Sequence, residues 1–585
     1  MALLVNENDF IQATNLKKFK LEKAAKPLMK LTGLKRLNEL YQGLDVYEGS
    51  EFIDAAFNRL EIDIEMDEND LKHIPTSGPF ITISNHPFGL LDGMALLKIL
   101  YTRRPDFKVM ANFLLQHIDP VKDCFISVNP LEDHQNAYSS LKGMRDALGH
   151  IRDGKPLGIF PSGEVSSFKK NARTITDREW QLPALKLIQK VKVPVLPILF
   201  EGTNSAIFHL LGLLHPTLRT ASLPSELLKK QHKAIKVRIG NVISVKEQAQ
   251  FEDTYQYGKY LRARTYSIGL GGRQKKRLKP PQIKIQRPAK PVAEPTADSL
   301  IQREIQQLRA EDRVLCAQQQ FEIFTAYAEE IPHLLTEIGR LREITFREVG
   351  EGTNQTLDLD TYDQYYLHLF LWDKEQQRLA GAYRIGEGKK IISQFGKKGM
   401  YVSSLFKVKK EMIPHFENSI ELGRSFILKD YQRNRLPLFL LWKGISTFLD
   451  KEGIYKHVMG PVSISNQYSS VSKSLMVAFL KKHYYDEELA SYVKPRKGFK
   501  PKIKKVDLDD LVEGIPNDLK VMDKIIEDME PTHFRLPVLL KKYIKQNARI
   551  IGFNIDPAFN LALDGFMIMD LKDLPEATIQ GFKKV

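Results

Sequence analysis

Phe80-Ile81-Thr82-Ile83-Ser84-Asn85-His86-Pro87-Phe88-Gly89-Leu90-Leu91-Asp92-Gly93 is the stretch on which the reading of this chain turns. An apolar strand ends at Ser84, a polar turn carrying Pro87 and Gly89 follows, and an apolar helix is expected from Leu91 to Leu100. That joint places a His and an Asp together just past a strand. An imidazole beside an alcohol can take its proton, and a carboxylate can fix the tautomer and stabilise the imidazolium that forms. This is the chemistry of acyl transfer to a hydroxyl. A plainer reading makes His86 a turn histidine whose ring caps the helix, with Asp92 only favouring the helix start.

Moving outward, Lys108-Val109-Met110-Ala111, Leu157-Gly158-Ile159-Phe160 and Val193 to Phe200 read as further strands. Leu141, Met144, Leu148 and Ile151 hold one face of a helix that Gly154 stops. Strands alternating with helices predict a parallel sheet flanked by helices. The turns Asn85 to Gly89, Pro161 to Glu164 and Glu201 to Asn204 then lie at carboxyl ends of strands, where sites in open α/β sheets form.

At 585 residues the chain is too long for one core. Between Gly269 and about Ser299 the apolar periodicity stops, and Arg273, Lys275, Lys276, Arg277, Lys279, Lys284, Arg287 and Lys290 are interleaved with prolines. The expected organisation is a basic amphipathic helical segment over 1–64, a first domain over 65–268, a basic Pro-rich linker over 269–299 and a second domain over 300–585. The fold class is α/β in two domains. Only Cys124 and Cys316 are present, without metal-ligand spacing, so neither a disulfide framework nor a metal site is expected. The net charge of +16 calls for an anionic partner. From Pro27 the residues Leu28, Leu31, Leu34, Leu37 and Leu40, with Lys26, Lys30, Lys35 and Arg36 around them, read as one helix, lying either on a membrane surface or on its own domain. Nucleic acid is not expected, since the basic residues lack interleaved aromatic platforms. No apolar run is long enough to span a bilayer, and the expected location is the cytoplasm, peripheral on the inner face of the membrane.

Four ordered segments resemble the glycerolipid acyltransferase superfamily of the lysophosphatidic acid acyltransferase type, over roughly residues 65 to 245. His86 and Asp92 match that family's catalytic pair, Phe125 to Asn129 its second block, Phe160-Pro161-Ser162-Gly163-Glu164 its third and Val193 to Ile198 its fourth. The resemblance implies His86 as general base, Asp92 as its orienting partner, and Asn85, Asn129, Phe160, Pro161, Ser162, Gly163 and Glu164 as substrate-binding positions. Three departures bear on substrate. Five residues rather than four separate the pair, the acid of the third block follows the glycine, and Asn129 stands where an arginine is usual. A phosphate-bearing acceptor is thereby disfavoured unless Lys169, Lys170 or Arg173 supplies charge.

Farther on, Thr345 to Glu348, Asp358 and Asp360, Tyr362-Asp363, Ala380 to Arg384 and Glu421 to Phe426 form a series similar to the acyl-homoserine lactone synthases and ornithine N-acyltransferases, within the N-acetyltransferase-like folds. That resemblance covers about residues 301 to 470, and implies roles for Asp360, Asp363, Arg384, Glu421 and Arg424. Glu421 is the expected promoter of amine deprotonation, while the arginines hold the pocket or bind an amino acid carboxylate. The tail, with Phe534 to Pro537 and Asn554 to Asn560, is similar to the hemolysin-like N-acyltransferases, and Asp556 and Asp564 are expected to serve turns.

Together the two halves resemble the bifunctional ornithine lipid synthases. The implied activity is N-acylation of an amino acid with a 3-hydroxyacyl group by the C-terminal domain, then O-acylation of that lyso-lipid by the N-terminal one. Acyl carrier protein or acyl-CoA would be the thioester co-substrate, with no bound cofactor, and amino acid and lyso-lipid the acceptors. Two alternatives stay open: a lysophospholipid acyltransferase with a regulatory second domain, and a non-enzymatic membrane-binding protein.

Overall fold

The computed structural model describes residues 7, 11, 25–112, 118–128, 137–169, 174–214, 216–271, 289–501, 508–530, 534–576 and 578. Contacts divide the chain into two compact units, Met1–Gly272 with Ile503–His533, and Arg273–Lys502 with Phe534–Val585.

The first unit is built on β1 (Asp63–Glu65), β2 (Ile81–Ser84), β3 (Lys108–Asn112), β4 (Phe125–Val128), β5 (Leu157–Ile159), β8 (Val195–Glu201) and β9 (Ala234–Ile239), with β6 (Ser167–Lys169) and β7 (Thr174–Thr176) as a separate hairpin. The sheet order is β1-β9-β8-β2-β5-β3-β4. Every pairing is parallel except β8 with β9, a departure from the expected all-parallel sheet. Its consequence is spatial. Glu201, the last residue of β8, pairs with Lys236 near the start of β9, so the intervening chain leaves and returns at the carboxyl end of β8 instead of crossing a sheet face. All four residues of β2 are buried, as a central strand covered on both faces requires.

The helices of this unit are α1 (Ala25–Leu31), α2 (Leu34–Tyr41), α3 (Gly49–Leu60), α4 (Leu90–Tyr101), α5 (Ala137–Arg152), α6 (Leu182–Val191), α7 (Ala206–Leu214), α8 (Pro216–Ala221), α9 (Leu223–Leu228) and α10 (Thr254–Ile268). Nine of the twelve residues of α4 are buried, which its nearly uninterrupted apolar composition requires. The leucine stripe expected as one helix from Pro27 is two, α1 and α2, because Gly33 turns the chain with φ 78°. Leu34 and Leu37 are buried with Ala25 and pack against Leu227 and Leu228. Nor is 1–64 a separate segment, since Tyr41, Phe52, Ile53 and Phe57 share a core with the sheet. The helices Leu508–Glu513 and Leu519–Met529, expected in the second domain, pack on α10 in this unit. Arg264, fully buried, holds Asp528 at 3.2 Å and Glu247 at 3.2 Å.

The second unit has β10 (Val314–Gln318), β11 (Phe321–Ala326), β12 (Leu367–Asp373), β13 (Arg378–Glu387), β15 (Ser419–Ile427), β16 (His457–Ile464), β18 (Arg549–Asp556) and β19 (Ala562–Asp570) in one sheet, with β14 (Phe406–Val408) and β17 (Val493–Pro495) paired apart. Around it lie α11 (Asp298–Ala310), α12 (Pro332–Glu348), α13 (Val402–Leu405) and α14 (Leu436–Glu452), among others. The sheet runs β10-β11-β12-β13-β15-β16-β19-β18, and only β15 and β16 are parallel. They pair over Ser419–Glu421 and His457–Met459 and then part. Beyond the fork β15 pairs only with β13 and β16 only with β19. Gly460 sits at the fork with φ 153°, where a Cβ would stand 2.1 Å from the Leu422 carbonyl oxygen. Of the expected linker, Lys290 and Ala293 donate backbone hydrogen bonds to Asn354 and Thr356, so the stretch after residue 289 belongs to this unit. Residues 272–288 lie outside the described residues.

Candidate active sites

In the first unit Nδ1 of His86 lies 2.9 Å from Oδ2 of Asp92. The same Asp92 oxygen accepts the backbone N–H of Phe88 at 2.8 Å and of Gly89 at 3.0 Å, closing the start of α4. Asp92 therefore does both things the sequence suggested separately: it caps the helix and faces the imidazole. Burial pushes its carboxyl upward, an effect opposed by the His86 ring and the two N–H donors. The His86 ring rests against Phe160, centroids 4.3 Å apart, and keeps 19% of its side chain exposed. A ring fixed on one edge by a buried carboxylate and partly open elsewhere can take a proton from an alcohol.

The three turns converge. Asn85 donates to the Phe200 carbonyl at 2.9 Å and accepts the Phe200 N–H at 2.8 Å, joining the ends of β2 and β8. Ser166 N–H donates to the His86 carbonyl. A Cβ on Gly202 would stand 2.8 Å from the Phe88 ring. In the third block Gly163 has φ 64°, the Ser162 hydroxyl donates to the Glu164 carbonyl, and the Pro161 carbonyl accepts Gln181 N–H. Glu164 is ion-paired with Arg219 of α8 at 2.9 Å and with Arg178 at 3.4 Å. Asn129, Lys170 and Arg173 lie outside the described residues, and Lys169 pairs with Asp510 at 3.6 Å.

Sequence reasoning passed over three residues here. Asp177 accepts the His86 N–H at 3.2 Å, the Ser166 hydroxyl at 2.6 Å and the Trp180 indole N–H at 3.3 Å, which clamps the turn that carries His86. Arg219 and Lys230 bring positive charge, Lys230 with its ammonium 4.2 Å from the Phe88 ring centroid. None carries a local signal, because each is remote in sequence from the turn it serves. Beside α4, residues of α2, α3 and α4, among them Leu37, Tyr41, Phe57, Leu90 and Met94, line an apolar cleft of about 650 Å3 of open space.

In the second unit the expected acids and arginines do assemble, but as a closed network. Arg384 holds Asp360 at 2.6 Å and Asp363 at 3.1 Å, while Arg424 holds Asp360 at 3.0 Å and Asp358 at 3.4 Å. Arg342 of α12, absent from the sequence reading, joins Asp363 at 2.8 Å to Asp358 at 3.3 Å. The Arg342 and Arg384 guanidiniums beside Asp363 hold its carboxyl far below the usual range. Rings of Tyr362, Tyr366 and Tyr401 surround Arg384. The matched carboxylates are thus neutralised by arginines rather than left for a substrate ammonium.

Glu421 also departs from expectation. It is buried, accepting the Tyr366 hydroxyl at 2.6 Å and Tyr401 N–H at 2.9 Å on one oxygen and Val402 N–H at 2.8 Å on the other. These bonds anchor the start of α13. Three of the roughly four acceptor directions of the carboxylate are thereby taken. Asp556 does make the expected turn, accepting Ala558 N–H at 2.8 Å. Asp564 does not: it lies inside β19, opposite Ser463 of β16, whose hydroxyl donates to it at 2.7 Å. Burial and the neighbouring Asp556 and Glu351 carboxylates raise Asp564 to about 7, and burial raises Glu351 to about 7. Asp564 stands on the strand pair that flanks the fork between β15 and β16.

Residues 23–270 match the model of a family described as acyltransferase, and residues 341–443 match that of the acetyltransferase (GNAT) domain. The chain is an acyltransferase. The enzyme is 27% identical over 256 residues to a glycine N(alpha)-acyltransferase of Phocaeicola vulgatus, covering 41% of this chain and 76% of that protein. A glycine N(alpha)-acyltransferase of Bacteroides thetaiotaomicron is 32% identical over 186 residues, 30% of this chain and 55% of its own length. A lyso-glycine lipid O-acyltransferase of Phocaeicola vulgatus is 24% identical over 227 residues, 38% of this chain and 78% of that protein. The acyltransferase thus combines an acyltransferase domain with a C-terminal GNAT domain in a mixed α/β structure of two units. Among the described residues no helix is long and apolar enough to cross a membrane.

Proposed function

We propose that this acyltransferase makes a two-chain amino-acid lipid in two steps. The second unit transfers a 3-hydroxyacyl group from acyl carrier protein or CoA to the α-amine of an amino acid, glycine being favoured by the names of its relatives. The amine nitrogen attacks the thioester carbonyl, the thiolate leaves, and the amine's proton passes to a carboxylate. Burial raises both Glu421 and Asp564, but Glu421 is held by three donors whereas Asp564 accepts the Ser463 hydroxyl, so Asp564 takes that role, beside the fork whose unpaired strand edges suit an extended amide-bearing thioester arm. In the first unit His86 removes the proton of the 3-hydroxyl, the oxygen attacks a second acyl thioester, and the thiol leaves with a proton returned by the imidazolium.

The observation that carries this reading is that two separate proteins of Phocaeicola vulgatus, one named as an N-acyltransferase and one as a lyso-lipid O-acyltransferase, are both matched by one chain. A net charge of +16 supports an acidic carrier protein and an anionic membrane surface as partners, with the enzyme on the inner face of the membrane. The test is lipid mass spectrometry of a bacterium without aminolipids that expresses the chain. A diacylated amino-acid lipid is expected from the parent, its monoacyl amide from His86→Ala, and neither from Asp564→Asn. Altered phospholipid acyl chains without any aminolipid would overturn the reading in favour of lysophospholipid acylation.

A further inference from the structure

The chain between β8 and β9 makes a helical hairpin whose outward face is the wrong kind for water. On α7, Phe208 and His209 are turned inward, while Ile207, Leu210 and Leu214 are 63%, 59% and 70% exposed, with Leu213 also exposed. Leu218 of α8 continues the patch, and α7 carries no acidic or basic side chain other than the inward His209. A surface helix normally shows its polar face to solvent, and a contiguous exposed apolar patch marks a surface that something covers.

Three observations say what covers it. The antiparallel pairing of β8 and β9 puts the hairpin at the carboxyl end of β8, the end of the sheet that bears the His86 site, and the Arg219–Glu164 ion pair at 2.9 Å fastens α8 to the third block of that site. The flanks are basic. Helix α9 packs against α8 and α2, and around it Lys229 and Lys233 are exposed while Arg36 lies against Gln231; Lys169 stands on β6, against which α7 packs. Lys229 and Lys169 are paired with Glu226 and Asp510, and Arg219 and Arg178 with Glu164, whereas Lys233 and Arg36 have no acidic partner among the described residues. An apolar stripe with exposed basic side chains on its flank is complementary to a bilayer with anionic headgroups.

We propose that the α7–α8 hairpin is a membrane-docking element, whose Ile207, Leu210, Leu214 and Leu218 enter the headgroup–acyl boundary of an anionic bilayer and set the His86 site at the lipid surface. The identity of the acceptor delivered there rests on the O-acylation reading, whereas docking itself does not.

The test uses the full-length chain and Leu210→Asp/Leu214→Asp, sedimented with vesicles of phosphatidylglycerol and phosphatidylcholine and with vesicles of phosphatidylcholine alone. The parent binds the anionic vesicles, more weakly as salt rises, and the double variant loses at least about tenfold of that partition with an unchanged melting temperature. Acylation of a vesicle-embedded lyso-lipid falls in parallel, while that of a short-chain acceptor below its micellar concentration stays at the parent rate. Equal vesicle binding by parent and variant overturns the proposal, as does a parent that ignores vesicles but forms a dimer the variant loses. Because sedimentation needs no turnover, a failure of the O-acylation reading would show as absent acylation in every sample and leave the docking result legible.

Discussion

His86 owes its orientation to a carboxylate with other duties: Asp92 is buried and holds the Phe88 and Gly89 N–H groups just before α4 along with the ring. His86→Ala should therefore leave the fold intact and lower O-acylation by at least about a hundredfold, read as accumulation of the monoacyl amide. Asp92→Asn should slow the same step by a comparable factor by offering the ring the wrong partner. At the other site Asp564 becomes a carboxylate only as pH passes about 7, so N-acylation should rise through that range and Asp564→Asn should abolish the rise, measured as initial rate against pH. The same group has a stability signature. Its folded-state value is raised above the ordinary 3.8, so the folded chain binds the proton more tightly, and stability from this group is present below about pH 4 and lost as pH climbs to about 7. The loss is on the order of 4 kcal/mol, and Asp564→Asn should raise the melting temperature more at pH 8 than at pH 5.

Among elements, α13 has its start set by a single buried side chain. Glu421→Ala strands the Val402 N–H and leaves the Tyr401 N–H with only the Tyr366 hydroxyl and that hydroxyl with only the Gly399 carbonyl, and an unsatisfied buried donor costs about 1–3 kcal/mol. Calorimetry should show the second unit melting at lower temperature, with N-acylation lost only as far as folding is lost. Full thermal stability with activity gone would return Glu421 to the role of amine base. The fork between β15 and β16 depends likewise on one residue. Gly460→Ala places a Cβ against the Leu422 carbonyl at a φ that side chains avoid, and should destabilise the unit by about 2 kcal/mol or more in denaturant titration.

For the whole molecule the decisive feature is that the first unit is not one stretch of chain. A fragment ending at Gly272 lacks Leu508–Met529, which strips α10 of two helices that pack on it and Arg264 of Asp528, one of its two carboxylate partners. Such a fragment should aggregate or melt well below the parent, and fusion of residues 503–533 to it should restore solubility, followed by light scattering. On the proposed two-step reading, carrying both units on one chain would also keep a poorly soluble intermediate at high local concentration.

The sequence by itself determined the parts that rest on local chemistry. Strand, turn and helix around His86 follow from Ile81–Ser84, Pro87, Gly89 and the apolar run of α4, and the motif order located Asp92 and the third block because neighbours along the chain decide those geometries. Tertiary structure alone decided whatever depends on residues brought together from afar. It broke the leucine stripe at Gly33 and buried Leu34 and Leu37, and it returned residues 503–533 to the first unit. The Asp360, Asp363, Arg384 and Arg424 positions became a neutral network because Arg342 and Asp358 complete it, and Glu421 became an anchor because α13 folds onto it. Asp564 gained its raised pKa from burial beside Asp556 and Glu351. Burial and partner charge are sums over the folded surroundings, and no run of adjacent residues carries them.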